Sequence, residues 1–244
     1  MNALKTLTVA SFAAAACFSA ASAATVSISN ITASWINVTP AAQVTQSGSP
    51  TDRRISWGQP DNSTDEQSAY RFQSAANANV IVPPTQSFTL GTFTHINRDI
   101  VTNASSFLQQ ATLRVALNIA VNGVNQGQRT FDFLFQHDET NNNSNPCKYT
   151  GAGVPNGPGC ADRVTVSSNG LAETFTVDGI LYTVTIQGFQ NGGSTVSQIF
   201  TRESANTSAN LIGQISAVPV PPALVLMGAG LLGLGAATRR RRIA

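Results

Sequence analysis

Charge is scarce in this 244-residue chain, where Asp, Glu, Lys and Arg make up only 11% and hydrophobic residues 42%. That balance excludes a charge-driven disordered segment, which needs low hydrophobicity and high net charge. The few cations are also badly placed for nucleic acid. Lys5 and the run Arg239, Arg240, Arg241, Arg242 hold five of the 14, and no acid precedes Asp52 or follows Glu203. The middle therefore sets 9 cations against 12 acids, a net of −3, whereas a duplex-binding face needs clustered Lys and Arg. Reactive residues are equally sparse, with 2 His and 3 Cys in all. No Gly-x-Ser-x-Gly elbow, Gly-rich phosphate loop or His-Glu-x-x-His helix is present. The adjacent acids Asp138 and Glu139 would point to opposite faces of a strand and make a poor acid/base pair. No catalytic residue is assigned, and the chain reads as a non-enzyme.

What is present is clearest at the two ends. Lys5 precedes an apolar run from Leu7 to Ala20, followed by the small residues Ala21-Ser22-Ala23. This is the pattern of a secretory signal peptide over residues 1–23, with cleavage between Ala23 and Ala24. It implies the export machinery and signal peptidase as partners. A lipoprotein signal built on Cys17 competes, although Ala14 stands where such a signal usually carries Leu. Residues 218–244 hold Val218, Pro219, Val220, Pro221 and Pro222, an apolar Gly-rich stretch over 223–238, and Arg239 to Arg242. Sixteen helical residues span roughly 24 Å, short of the ~30 Å hydrocarbon core, and the Pro flank and snorkelling Arg cover the difference. Arg beside a transmembrane helix keeps that end cytoplasmic, which sets the intervening domain outside the inner membrane. A plain tail anchor is the simpler alternative.

Residues 24–217 remain for one domain, and their pattern is period two. Thr25–Ser29, Arg54–Trp57, Ser87–Phe93, Arg129–Phe135, Arg163–Ser167 and Thr174–Val177 alternate β-branched or aromatic residues with polar ones, as half-buried strands do. Leu113 to Val121 alternates as cleanly and is read as a strand, although Phe107 to Val121 also admits a helix. Asn122-Gly123, Asn169-Gly170, Asp178-Gly179 and Asn191-Gly192-Gly193 supply turn chemistry, with Asp178-Gly179 the strongest hairpin signal. About nine or ten strands are expected, giving an all-β, antiparallel β-sandwich or jelly-roll-like single domain. In an exported chain, Cys147 and Cys160 are most simply a disulfide closing a Gly- and Pro-rich loop; zinc on these two Cys is the alternative.

Two segments concentrate polar groups where alternating runs end: Thr94-His95-Ile96-Asn97 and His137-Asp138-Glu139-Thr140-Asn141. They contain both His and are expected on one rim of the sandwich. Several readings stand side by side. His95 and His137 hydrogen-bond loop backbones while Asn97 holds a turn; or Asp138, Glu139, Asn141 and Asp162 bind Ca²⁺ through oxygen; or the two His with Asp138 or Glu139 take a transition metal. Trp35, Trp57, Tyr70, Tyr149 and Tyr182 offer stacking faces for a saccharide.

The C-terminal arrangement resembles the PEP-CTERM sorting signal of Gram-negative bacteria in its Val-Pro-x-Pro form, with Val220 where the consensus has Glu. The resemblance implies handling by exosortase near the Pro motif. Thr94-His95-Ile96-Asn97 looks like the Thr-His-x-Asn signature of the THxN family of PEP-CTERM proteins. Ile55-Ser-Trp57-Gly58, Leu90-Gly-Thr-Phe93, His137-Asp138-Glu139-Thr-Asn141 and Gly188-Phe189 are also similar to that family. Arg98-Asp99-Ile100 replaces the expected apolar residue and Pro after the motif. The resemblance implies a non-catalytic surface or extracellular-matrix protein of the biofilm kind, transiently in the inner membrane, with extracellular polysaccharide as a partner. The alternative is a carbohydrate-binding β-sandwich module, and behind it a secreted glycan-active enzyme.

Overall fold

The computed structural model describes residues 23–40, 44–60, 66–101, 107–168, 172–191 and 193–219. The signal segment up to Ser22 and the tail from Val220 onward, including Ala21, Pro221, Pro222 and Arg239 to Arg242, lie outside the described residues. Among the described residues no helix is long and apolar enough to cross a membrane.

The chain is all-β. In order the strands are β1 (Ala24–Thr39), β2 (Thr45–Ser49), β3 (Asp52–Trp57), β4 (Ser68–Ser74), β5 (Ala78–Val82), β6 (Gln86–Ile96) and β7 (Gln110–Val121). Then come β8 (Val124–Asp138), β9 (Asp162–Ser168), β10 (Glu173–Val177), β11 (Ile180–Asn191), β12 (Ser194–Val196), β13 (Gln198–Thr201) and β14 (Asn206–Pro219). Every alternating segment picked out in the sequence lies in a strand, and Leu113–Val121 is strand rather than helix. The count exceeds nine or ten because β2, β5, β12 and β13 are short. β2, for instance, is exposed along its whole length and carries no alternation.

All pairings are antiparallel. One sheet runs β13-β9-β8-β7-β1-β5, and the other β10-β11-β14-β6-β4-β3-β2 with β12 added on β11. Both contribute to a single buried cluster, with Trp35, Leu113, Val115 and Phe135 from the first sheet and Trp57, Tyr70, Phe93 and Leu211 from the second. Two layers enclosing one core make the arrangement sandwich-like.

β1 shows how the pattern is kept inward over a long strand. Val26 and Ile28 are buried, and so are Ile31, Ala33 and Trp35, so the inward parity switches from even to odd numbers. The switch falls where the register against β7 shifts between Ser29 and Thr32, with Asn30 at φ 52°. A bulge on an exposed Asn in the left-handed region inserts one residue and turns the following side chains back to the core. At the Asp178-Gly179 turn, φ values of 49° and 74° join β10 to β11, the mirror-image turn that suits strand twist.

At the two ends of the domain, Ala24 is buried and pairs with Val82, directly after the expected cleavage point at exposed Ala23. At the other end β14 runs past residue 217: Val218 pairs with Leu181 and Pro219 with Ile180. The sheet thus takes in the first two residues of the Pro motif, with Pro219 at a strand end where a missing N–H is tolerated.

Candidate functional site

Along the end of β6 the inward positions are Phe93 and His95, and along β8 they run Phe131, Phe133, Phe135, His137. Side chains two apart share a face, so both His are carried into the interior from opposite sheets. Their rings meet edge to face at 5.2 Å between centroids. The rim expected from the sequence exists, but its His are inside it: His95 and Asn97 are 0% exposed, as is the His137 side chain. Thr94, one step out of phase, lies on the outer face and bonds Ser208 Oγ at 2.8 Å.

Asp162, the first residue of β9 and fully buried, completes the group. Its Oδ1 accepts from the Thr140 backbone N–H at 2.7 Å and from Thr140 Oγ1 at 3.1 Å, while Oδ2 is buried without a partner. His137 Nδ1 is 2.8 Å from Tyr70 Oη and Nε2 is 3.0 Å from Glu139 Oε2. Both ring nitrogens of His95 are buried without a hydrogen-bond partner, and Trp57 stacks on that ring at 6.2 Å and 15°. One nitrogen of each His and one oxygen of Asp162 lie within 4.8 Å of one another.

Burial sets the electrostatics. It pushes the Glu139 carboxyl up to about 8, with the charge of Glu203 adding to the effect. Burial also lifts Asp162 to about 8, reinforced by Glu139, and lowers His137 to about 4. His95 is held well below its ordinary value by burial, then by neighbouring His137 and Arg98. The His137–Glu139 contact is therefore a hydrogen bond between neutral groups at neutral pH, not an ion pair.

The expected four-oxygen Ca²⁺ set of Asp138, Glu139, Asn141 and Asp162 does not assemble. Asp138 faces outward, where Lys148 Nζ sits at 2.6 Å and Tyr149 Oη donates to the same oxygen. Asn141 Oδ1 is occupied by the Asn143 backbone N–H at 2.9 Å. Strand parity is the reason: Asp138 leaves on one face, and His137 and Glu139 on the other. Of the residues named for a transition metal, His95, His137 and Glu139 come together; Asp138 does not, and Asp162 takes its place. The reading with His bonded to loop backbones also fails, since His137 bonds side chains and His95 bonds nothing. The Asn97 side chain instead donates Nδ2–H to the carbonyl of Thr201, the last residue of β13, at 3.3 Å.

Sequence reasoning missed Tyr70, Thr140 and Glu203 as members. Tyr70 pairs in register with His95 across β4 and β6, but nothing local in the sequence reports that pairing. Of the five proposed stacking faces, Trp35, Trp57, Tyr70 and Tyr182 are in the core, and only Tyr149 remains half-buried at the surface. Burial left those rings to each other, as with Trp57 and Tyr70 at 4.8 Å.

The loop beside the site is clasped by the disulfide Cys147–Cys160, with Cα atoms 5.4 Å apart. Cys160 is buried, and its carbonyl accepts from Thr140 Oγ1 at 3.1 Å, which links the clasp to the partner of Asp162. No protein-family model matches the chain, and no curated protein matches it either.

Proposed function

We propose that this chain is a non-catalytic exported protein of the cell surface or extracellular matrix, a β-sandwich of the jelly-roll kind between two address segments. Residues 1–23 direct it to the export machinery and signal peptidase. Residues 218–244 hold it in the inner membrane until exosortase reads the Pro motif, helix and Arg run. The observation that carries the reading is the Cys147–Cys160 disulfide, because such bonds persist in oxidising compartments outside the cytoplasm. It agrees with both ends of the sequence. The matrix assignment draws support from a described surface with few charges and many hydroxyl and amide groups, suited to hydrogen-bonding polysaccharide.

The test is the intact mass of the protein recovered from the outer surface or culture fluid of its native host. The expected species begins near Ala24 and ends near Pro219. A mass retaining the apolar stretch and Arg239 to Arg242 defeats the sorting reading, and a mass retaining residues 1–23 defeats export.

A further inference from the structure

We propose that His95, His137 and Asp162, with Glu139 as the fourth donor, form a binding site for a divalent transition-metal ion of the zinc class that ties the two sheets together. The site is independent of how the chain is sorted. Its donors come from β6 in one sheet and from β8, the residue after it, and β9 in the other.

Four observations converge. The first is unmet bonding capacity: His95 is 0% exposed with neither nitrogen bonded, and the Asp162 Oδ2 atom beside it is also buried and unpartnered. Buried polar atoms in folded proteins almost always have partners, because leaving one unmade costs free energy. A cation satisfies these atoms together. The second is distance. Donors about 2.1 Å from a tetrahedral ion lie roughly 3.4 Å apart, and the three here lie within 4.8 Å, so small side-chain rotations close the set.

The third is orientation from outside. Tyr70 Oη engages His137 Nδ1, and Nε2 lies against Glu139 Oε2. Thr140 holds Asp162 Oδ1, and Oδ2 is left buried without a partner. Trp57 fixes the plane of the His95 ring. Metal-binding His and carboxylates are characteristically held by such partners on their far side. The fourth is charge. Two carboxyl groups, Glu139 and Asp162, lie together inside, bonded to His137 and Thr140, and among the described residues no Lys or Arg pairs with either. A dication bound between them supplies the cationic partner that the neighbouring described residues do not offer.

Two imidazole nitrogens with carboxylate oxygen is a borderline donor set; it suits Zn²⁺ or Co²⁺ and is too nitrogen-rich for Ca²⁺. When the ion enters, Glu139 and Asp162 bind it as carboxylates, and the protons both carry at neutral pH leave to solvent. A cleft of about 380 Å³ lined by Pro40, Phe107, Gln109, His137 and Glu139 adjoins the group and supplies the route.

The chain contains only 2 His, so ¹⁵N-histidine-labelled full-length protein reports both donors directly by NMR. Zn²⁺ added to chelator-treated protein should shift the ring nitrogens of both His at one equivalent, and Co²⁺ should give the visible spectrum of a tetrahedral nitrogen–oxygen site. Ca²⁺ in excess should displace neither. Asp162→Asn should weaken Zn²⁺ binding at least ~100-fold and Tyr70→Phe about 10-fold, while Asp138→Asn leaves it unchanged. The proposal is overturned if Zn²⁺ shifts neither or only one His, if Ca²⁺ competes, or if Asp138→Asn weakens binding as much as Asp162→Asn. Because the NMR arm uses the natural sequence, it decides the matter even where a variant fails to fold.

Discussion

Phe93 and Phe135 stack across the interior at 4.7 Å, and two residues further along the same strands His95 and His137 meet at 5.2 Å. The two layers share a backbone pattern and a burial level, yet their energetics are opposite. In the aromatic layer each ring gains from leaving water and from the offset and edge contacts that Trp35 and Tyr70 add, at 5.3 Å to Phe135 and 5.0 Å to Phe93. In the polar layer burial costs free energy wherever a nitrogen or oxygen goes unbonded. Strand parity places a side chain inside without regard to its chemistry. What the polar layer does is set by the neighbours that other strands bring.

The contrast can be broken from the aromatic side first. Phe135→Ala removes a ring packed against Trp35, Tyr70, Phe93 and Phe189 and should destabilise the domain by about 3–5 kcal/mol, read as a lower urea midpoint. A loss below ~1 kcal/mol would show that this layer is not the mechanical core. Replacing Cys147 and Cys160 together by Ser opens a loop of sequence separation 13 and should cost about 3 kcal/mol by chain entropy. The loss should be read by thermal melting of oxidised wild type against the variant.

His95→Leu sharpens the comparison most directly. In chelator the change removes two unbonded nitrogens and should raise stability by about 1–3 kcal/mol. With Zn²⁺ only the wild type should gain in melting temperature. If His95→Leu in chelator destabilises as Phe135→Ala does, the two layers are energetically alike and the contrast fails.

The smallest effect belongs to the surface. Hydrogen bonding to Arg71 holds the Asp52 carboxyl below its ordinary value, across a pair at 2.5 Å that is 41% and 39% exposed. A lowered folded-state value means stability present above the unfolded value and lost as pH falls through the folded one. Asp52→Asn should therefore cost less than ~1 kcal/mol at neutral pH. The difference should shrink below pH ~4 and in high salt, as followed by urea titration.

Much of the fold was legible because alternation reports burial locally. β6, β7, β8 and the β10–β11 hairpin each announce themselves within a dozen residues. β2 and β12 were not legible, since short edge strands with exposed side chains carry no periodic signal. At the site, His95 and His137 were legible as neighbours at one end of the sandwich, but not as interior residues. Asp138 was misassigned because the alternation alone did not say which of the two adjacent acids faces inward. Four of the five aromatic rings marked as sugar platforms lie in the core, because composition does not say which face of a strand is covered. Gly91 is a further case. Its lack of a side chain reads as neutral in the sequence, but in the fold a Cβ there would run into the Phe72 ring and the Gln73 carbonyl.

The amino-acid sequence by itself determined the all-β class, the strongest hairpin and the cysteine pair, because each depends on residues close together or on composition. Only the tertiary structure decided that His95, His137 and Asp162 share one closed space. The strands carrying them lie in two sheets, and the register that aligns them comes from packing over the whole core. It also decided that Asp138 belongs to the surface with Lys148 and Arg163, since a one-residue step along a strand reverses the face and only the paired sheet sets which face is inside.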